Sequence, residues 1–434
     1  MMKSPYGSRT LYGCALFCSC KRKADAPIKG ATTGTKTKIH RSSLFIFLIF
    51  FLFIIHHSSF IILCAHEVSG SFQTETSIFL RNPGFQEQER NSVSWALEYG
   101  YYHEFKNHSA LTITPFARAD SADADRSHFD FREFNYLLLG DTWELRAGIG
   151  KVFWGATEFV HLIDIINQTD LVESINAEKK LGQPMINMSI PQDFGVVDIF
   201  ILPYFRERTF QGKKGRLRSG LEIDTDHSLF ESSRAKHHID TALRYSNTIA
   251  SCDLGVYYFR GTSRNPTMIT SINNNFEPVF VPYYPQIRQA GIDAQMAYGS
   301  WLFKLEALDT SDTFKDYFAS TGGVEYTFSN ISSSGIDLGI IGEWARDERG
   351  KSITPYERDM MFGMRLALND ASGTEMLAGM IQDIKTASSA LNLEAKRRIG
   401  SSLKAGLESW FFMDVAQTDL FYSLRDDDFI KLEM

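Results

Sequence analysis

The chain has 434 residues, enough for two or three globular domains or for one large barrel. Its formal net charge is -7, but residues 1–65 carry nine Lys or Arg and one acid, so residues 66–434 carry -15. An acidic body argues against a nucleic-acid partner, because phosphate binding needs clustered basic charge. The aromatic content of 13% suits the aromatic girdles of a membrane barrel, although a large β-sandwich could match it.

The N-terminal segment contains an apolar run from Leu44 to Ala65, preceded by Lys36, Lys38 and Arg41. This order of basic and apolar regions predicts a signal peptide, and we place the cut after Ala65. The run is also about 20 residues long, so an uncleaved membrane anchor is the alternative. The predicted organisation is an N-terminal extension and signal peptide over 1–65, followed by an exported chain over 66–434.

Strands with one apolar face follow from residue 93 onwards. Apolar rows alternate with polar residues over 93–101 and 111–117, and the alternation slips near Arg132 and Glu133, which predicts a β-bulge. The segment 142–155 shows the pattern most clearly, with apolar residues at the odd positions 143–149 and charge or glycine at the even ones. Because successive side chains of a strand point to opposite faces, such strands have one oily and one polar face.

The pattern breaks over 156–181 and again over 206–236, a charge-rich stretch that predicts an exposed loop. Between and after these breaks, hairpins recur, and the clearest runs from Gly291 to Leu308 around the two-residue turn Gly299–Ser300. Short turns alternating with long loops are typical of outer-membrane barrels. The sequence predicts an all-β, transmembrane, antiparallel up-and-down barrel of about 16 strands, within a range of 14 to 18. A secreted protein of several sheets is the alternative.

Two motifs border the first long break. They are Gly150-Lys-Val-Phe-Trp-Gly-Ala-Thr-Glu-Phe159, followed by Ile163-Asp-Ile-Ile-Asn-Gln-Thr-Asp170, and Glu178-Lys-Lys-Leu-Gly-Gln-Pro-Met185. Their order resembles a family of uncharacterised Gram-negative outer-membrane β-barrel proteins, distantly similar to alginate-export-type porins. The resemblance covers about 40 residues, and Gln168 stands where those relatives tend to have proline. It implies a porin-like role in the cell outer membrane and supplies no catalytic residues.

The faces predicted to line the lumen carry seven basic and ten acidic residues. The basic ones are Arg118, Arg146, Arg244, Lys304, Arg365, Lys396 and Lys404. The acidic ones are Glu98, Glu144, Asp240, Asp253, Asp293, Glu306, Asp337, Glu343, Glu394 and Glu408. This near balance predicts either a lumen braced by ion pairs or an aqueous channel with weak cation preference.

Catalytic and metal-binding motifs are weak throughout the sequence. Ser246 lies near His237 and His238, but no nucleophile motif surrounds it. Cys14, Cys18 and Cys20 lack a second ligand pair, and Asp426–Asp428 reads more simply as a solvated turn than as a calcium site. We therefore predict no enzyme, no cofactor and no metal site, with an outer-membrane hydrolase as the least favoured alternative. Removal of residues 1–65 leaves Cys252 without an intrachain disulfide partner.

The break over 156–181 mixes apolar residues with acids, unlike the polar loop at 206–236. An apolar run needs a wall to pack on, so we expect the segment to fold inward and narrow the channel. The residues expected at this constriction are Glu158, Asp164, Asp170 and Glu173, with Asp164 and Asp170 projecting toward the solute path. A short helix packed on the rim or against a neighbouring subunit is the alternative.

The sequence predicts a porin-like channel for passive or facilitated diffusion of small solutes. The competing hypothesis is a structural or receptor barrel that does not conduct because its loops plug the lumen. The expected partners are outer-membrane lipid, lipopolysaccharide and a small-molecule solute, and a homo-oligomer is compatible with the pattern.

Overall fold

The computed structural model describes residues 66–434, in which the alternating segments form 22 strands. The barrel strands are β1 His66–Phe79, β2 Asn91–Glu104, β3 Ala110–Asp120, β4 His128–Leu139, β5 Glu144–Gly150, β6 Gln183–Gln192, β7 Gly195–Leu202, β10 Asp240–Ile249, β11 Cys252–Thr262, β14 Gln286–Tyr298, β15 Trp301–Asp312, β16 Tyr317–Phe328, β17 Asp337–Asp347, β18 Arg358–Ala367, β19 Glu375–Asp383, β20 Ser389–Ile399, β21 Leu403–Met413 and β22 Phe429–Glu433. The shorter ones are β8 Glu222–Ile223, β9 Leu229–Phe230, β12 Thr267–Ile272 and β13 Pro278–Tyr284.

The barrel is closed and antiparallel, as predicted. Each barrel strand pairs with the next one along the chain, and β1 also pairs with β22, so that Phe79 lies opposite Phe429. The sheet has 18 strands rather than about 16. The sequence estimate assumed about 22 residues for each strand and its share of connections, whereas several turns, such as 193–194 and 250–251, take only two residues.

A β-bulge interrupts the pairing of β3 with β4, as the slipped alternation predicted. The register shifts between Thr114 and Pro115, which lie opposite Glu133 and Phe131, so Arg132 is the extra residue. Arg132 is therefore 6% exposed and points into the barrel, although its neighbour Glu133 belongs to the same face.

The two rims of the barrel differ in their connections. One rim, the turn rim, has turns as short as the two-residue turn at 299–300. The other, the loop rim, carries the three longest connections, 151–182, 203–239 and 263–285. On the loop rim, β12 and β13 form a hairpin, and β13 also pairs in parallel with β8 and β9. Three short 3₁₀ helices, Ala235–His237, Ile331–Ser333 and Leu420–Leu424, lie in connections.

The outer surface of the barrel is apolar, as the alternation requires. Trp95, Ile292, Trp301 and Leu403, which belong to the apolar rows expected to face lipid, are each between 36% and 49% exposed. A row of exposed large apolar side chains is costly in water but suits a lipid-facing wall. No helix within residues 66–434 is long and apolar enough to cross a membrane. The predicted signal peptide, its predicted cut after Ala65 and the cysteines before that position lie outside the described residues.

Candidate functional site

The connection from β5 to β6, residues 151–182 and here called the lumen loop, folds into the barrel and contains no helix. Its neck is clamped by Asn167, which is 1% exposed. The Asn167 side-chain amide donates to the carbonyls of Gly150 and Leu181 at 2.9 and 2.8 Å, and its oxygen accepts from the amide of Val152 at 2.9 Å. The loop therefore leaves and rejoins the wall at one point, and the residues between are free to cross the lumen.

The first part of the lumen loop, residues 154–166 or the tip segment, is fastened to β15 by Glu306. This carboxylate is fully buried and accepts from the backbone amides of Ala156, Thr157 and Ile163 at 2.7, 3.0 and 3.3 Å. The Thr157 hydroxyl donates to it as well, at 2.8 Å. The segment has no regular secondary structure, so these wall oxygens satisfy amides that would otherwise be buried without partners.

Glu343 of β17 holds the tip segment in the same way. It is 1% exposed and accepts from the amides of Glu158 and Phe159 at 2.8 to 3.1 Å. The Glu158 carboxylate turns to the basic wall residues, with Arg365 at 2.5 Å and the ammonium of Lys304 at 3.6 Å. Among the four acids expected at a constriction, Glu158 is the one whose side chain keeps substantial exposure, at 22%.

Apolar contacts hold the same segment on several sides. The Phe159 ring lies against Gly363 and Gly379, which are paired across β18 and β19, and a Cβ at Gly379 would approach the ring to 2.6 Å. Trp154 packs on Phe200 and Tyr257 of the wall, with ring centroids 5.6 and 5.1 Å apart. Ile163 and Ile166 are fully buried in the same cluster, and each such side chain stabilises the packed loop by about 1.5–3 kcal/mol.

Leu162 lies where these contacts converge. It packs against three separate groups of buried apolar residues, one around Trp154, one around Met361 and Phe412, and one around Leu308 and Tyr317. The tip segment therefore reaches walls that are far apart around the barrel, from β6 and β7 to β17 and β18.

The second part of the lumen loop, residues 167–175 or the acidic segment, meets a basic wall. Glu173 is paired with Arg118 of β3 at 2.8 and 2.9 Å, and Asp170 with Arg132 at 2.6 Å. Arg126 donates to the carbonyl of Val172 at 2.8 Å. Asp170 is fully buried and Glu173 is 9% exposed. Both carboxylates are therefore neutralised by arginines of the wall rather than exposed to solvent.

Asp164 is also turned away from open space. It is 6% exposed, accepts from the amide of Trp154 at 3.3 Å and lies 3.2 Å from the ammonium of Lys180. Burial raises the pKa of its carboxyl, and Lys180 acts in the opposite direction. The expectation that Asp164 and Asp170 project toward the solute path is therefore wrong, because each carboxylate has a cation within the folded loop and wall.

The other residues expected in the lumen fall on inward faces. Arg244 and Asp293 form a pair at 2.8 Å, and Asp240 binds Arg264 at 2.9 Å. Glu408 is paired with Lys431, and Lys396 with Glu375 at 2.9 Å. Strand alternation places the remaining predicted residues on the same faces as such contacts: Glu98, Glu144, Arg146, Asp253, Asp337, Glu394 and Lys404.

The connection 203–239, here called the rim loop, covers part of the loop rim instead of standing free in solvent. Arg216 within it is 3% exposed, and its guanidinium donates to Asp427 at 2.7 Å and to the carbonyl of Asp426 at 3.1 Å. Gln88 donates to the carbonyls of Gly215 and Arg216 at 3.1 and 3.0 Å. The polar loop is therefore packed down in part, because charges such as that of Arg216 are matched by neighbouring connections.

Sequence reasoning missed several residues of this site. Arg126 lies in a connection, and Arg132 is brought inward only by the bulge, so neither belonged to a clean alternating row. Asn167 belongs to no alternating row, and although it lies within the motif Ile163–Asp170, that motif did not indicate that its side chain clamps two backbone carbonyls. The slip at Arg132 and Glu133 was the available signal for Arg132.

Comparisons with known proteins found no matching family model and no matching curated protein. The structure neighbours are outer-membrane β-barrel proteins. They include Wzi of Escherichia coli, an outer-membrane protein involved in group 1 capsule assembly and described as a carbohydrate-binding β-barrel, at 10% identity, 84% of each chain covered and TM-score 0.49. Pseudomonas aeruginosa OccK3 (OpdO) matches at 8% identity, with 85% of this chain and 94% of that chain covered and TM-score 0.49. Pseudomonas putida OprB matches at 8% identity, 85% and 93% coverage and TM-score 0.41.

Proposed function

We propose that this chain is an outer-membrane channel of narrow bore, through which small solutes diffuse, and that the lumen loop sets the width of the passage. The observation that carries the proposal is the attachment of the tip segment to Glu306 and Glu343, on strands far around the barrel from the origin of the loop. A barrel of 16 to 18 strands is wide enough for an aqueous channel, so a loop that crosses it is the element that limits passage.

The charges near the tip segment favour a polar solute path. Glu158 keeps part of its carboxylate exposed beside Lys304, Glu325 and Arg365. Opposed charges of this kind at a narrow point orient dipolar solutes and set ion preference. Apolar exterior and charged interior together support placement in the outer membrane of a Gram-negative cell.

A barrel plugged by its own loops is the second candidate. The contacts of Leu162 with three apolar clusters favour it, because they join the tip segment to well-separated parts of the wall. The two candidates differ in whether water and ions pass beside the lumen loop.

Single-channel recording of the refolded protein in planar bilayers separates them. We expect small, ohmic steps from the unaltered chain and larger steps after deletion of Val160–Glu173, because the strands keep their hydrogen-bonded ladder without the loop. Heat-modifiable migration on gels checks that the deleted protein still closes its barrel. No steps across many insertions of the unaltered chain would contradict the channel, and equal conductance before and after the deletion would remove the loop as its limit.

A further inference from the structure

Two arginines lie side by side on the outer wall, without a partner, near the loop rim. Arg260 of β11 and Arg288 of β14 are directly opposite each other in the register, and both are exposed. Within residues 66–434, neither side chain has a carboxylate within ion-pair distance or a hydrogen-bond acceptor. Like charges at directly opposite positions of a sheet repel, so this arrangement is unfavourable unless an anion lies between them.

The pair lines an open cavity of about 440 Å³. The two acids of this cavity are already engaged: Glu231 accepts from the Gln286 amide and the Thr313 hydroxyl, both at 2.7 Å, and Asp312 accepts from the Phe314 amide at 3.0 Å. His238 is bound to Asp240 at 2.7 Å. The two guanidinium groups are the cations of this cavity that no carboxylate holds as an ion pair, and guanidinium groups bind phosphate in a bidentate manner.

The height of the pair on the barrel indicates where the anion comes from. Tyr298 is at the turn end of β14, paired with Trp301, and both are exposed aromatic side chains such as those that border a membrane. Arg288 is ten residues away on the same strand, which is about 25 Å of height for a strand tilted by about 40° and equals the apolar band of such barrels. Arg260 and Arg288 thus lie at the opposite membrane boundary.

The wall between these two levels is largely apolar, and the exposed Asp309 of β15, which lies opposite Ala290, is an acidic exception. Tyr258, two positions from Arg260 on the same face, is 48% exposed, and Leu243 beside it is 50% exposed. Ile292 continues the face on β14 at 36%. A lipid with a phosphorylated headgroup can bind here with its phosphate at the two arginines and its acyl chains along the apolar wall.

We propose that Arg260 and Arg288 bind the phosphate of a glycolipid headgroup, as in the lipid A part of lipopolysaccharide. The site rests on the outer-membrane placement proposed above and not on conduction, so it stands or falls independently of the channel. Free inorganic phosphate has the same anionic chemistry, but it cannot use the apolar wall.

Lipid retention by the detergent-purified chain tests the site, measured by native mass spectrometry with bisphosphorylated lipid A and with the same lipid after removal of its phosphates. We expect the bisphosphorylated lipid to be retained and the double variant R260Q/R288Q to weaken its binding about ten-fold or more, since two charge-assisted contacts are lost.

The matched control is R346Q/R358Q, which removes the same charge from another pair of opposed outward arginines. That pair is partly neutralised, because Arg346 lies 3.1 Å from Glu348. We expect this control to retain lipid A almost as the unaltered chain does. An equal loss in both double variants, equal retention of the dephosphorylated lipid, or equal stabilisation by sodium phosphate alone would overturn the proposal.

Discussion

The tip segment and the acidic segment belong to one loop, yet different forces hold them. The apolar side chains of the tip segment pack on glycines and apolar residues of the wall. Its backbone amides donate to the carboxylates of Glu306 and Glu343. The carboxylates of the acidic segment form buried ion pairs with Arg118 and Arg132. The difference teaches that acids in a lumen loop are not by themselves the charges of the solute path, because the wall can neutralise them.

The ion pair of the acidic segment should show the largest loss of stability. Glu173→Gln leaves Arg118 buried without its bidentate partner, and breaking one side of a buried pair costs about 3–5 kcal/mol. Urea unfolding of the purified protein in detergent measures this loss. The double variant Glu173→Met with Arg118→Met should recover part of it, although Arg118 also contacts Glu75 at 3.3 Å. A Glu173→Gln protein within 0.5 kcal/mol of the unaltered one would show that the pair does not stabilise the loop.

The fold was more predictable than this site, for a physical reason. Alternation with period two marks each strand and each face, so the closed barrel, the bulge at Arg132 and inward residues such as Arg118 and Glu306 follow from it. The partners of an irregular loop leave no period. Nothing in the sequence links Glu306 to the amide of Ala156, 150 positions away, since any residue offers that amide.

The carboxylates that hold the tip segment should give a smaller effect. Glu306→Gln can keep an oxygen toward Ala156 and Thr157, but its NH2 group faces the amide of Ile163, so about one charge-assisted hydrogen bond, worth about 1.5–3 kcal/mol, is lost. We expect the tip segment to loosen, which single-channel recording would detect as added current noise and larger average conductance. Asp347→Asn is the matched control, because Asp347 is an equally buried acid that is held by Arg349 but accepts from no amide of the lumen loop. Similar traces from both variants would contradict the role of Glu306.

Acidification should affect the tip segment before the acidic segment. His161 stacks edge-on against Phe153, and its Nδ1 is buried without a hydrogen-bond partner among the described residues. Burial lowers the pKa of His161 to about 4, with Lys180 and Lys304 acting in the same direction and Glu158 against them. A free histidine titrates near pH 6.5, so packing of the neutral ring weakens as pH falls from about 6.5 toward 4, by up to about 1.4 kcal/mol per pH unit.

We therefore expect conductance to rise, or to fluctuate more, between pH 7 and pH 5. His161→Asn should remove the part of this dependence that comes from the ring. Identical pH profiles for the two proteins would show that His161 stays unprotonated or that its protonation leaves the loop in place.

The most direct test of the lumen loop as the limit of passage is chemical modification at Glu158, its partly exposed acid. Glu158→Cys in a Cys252→Ser background, treated with a charged methanethiosulfonate reagent during single-channel recording, adds bulk and charge at the proposed narrow point. The exposed rim-loop position Asp226→Cys is the control, with labelling of both verified by mass spectrometry. We predict a stepwise fall in conductance for the variant at 158 and none for that at 226. Complete labelling at 158 with unchanged conductance would contradict the account.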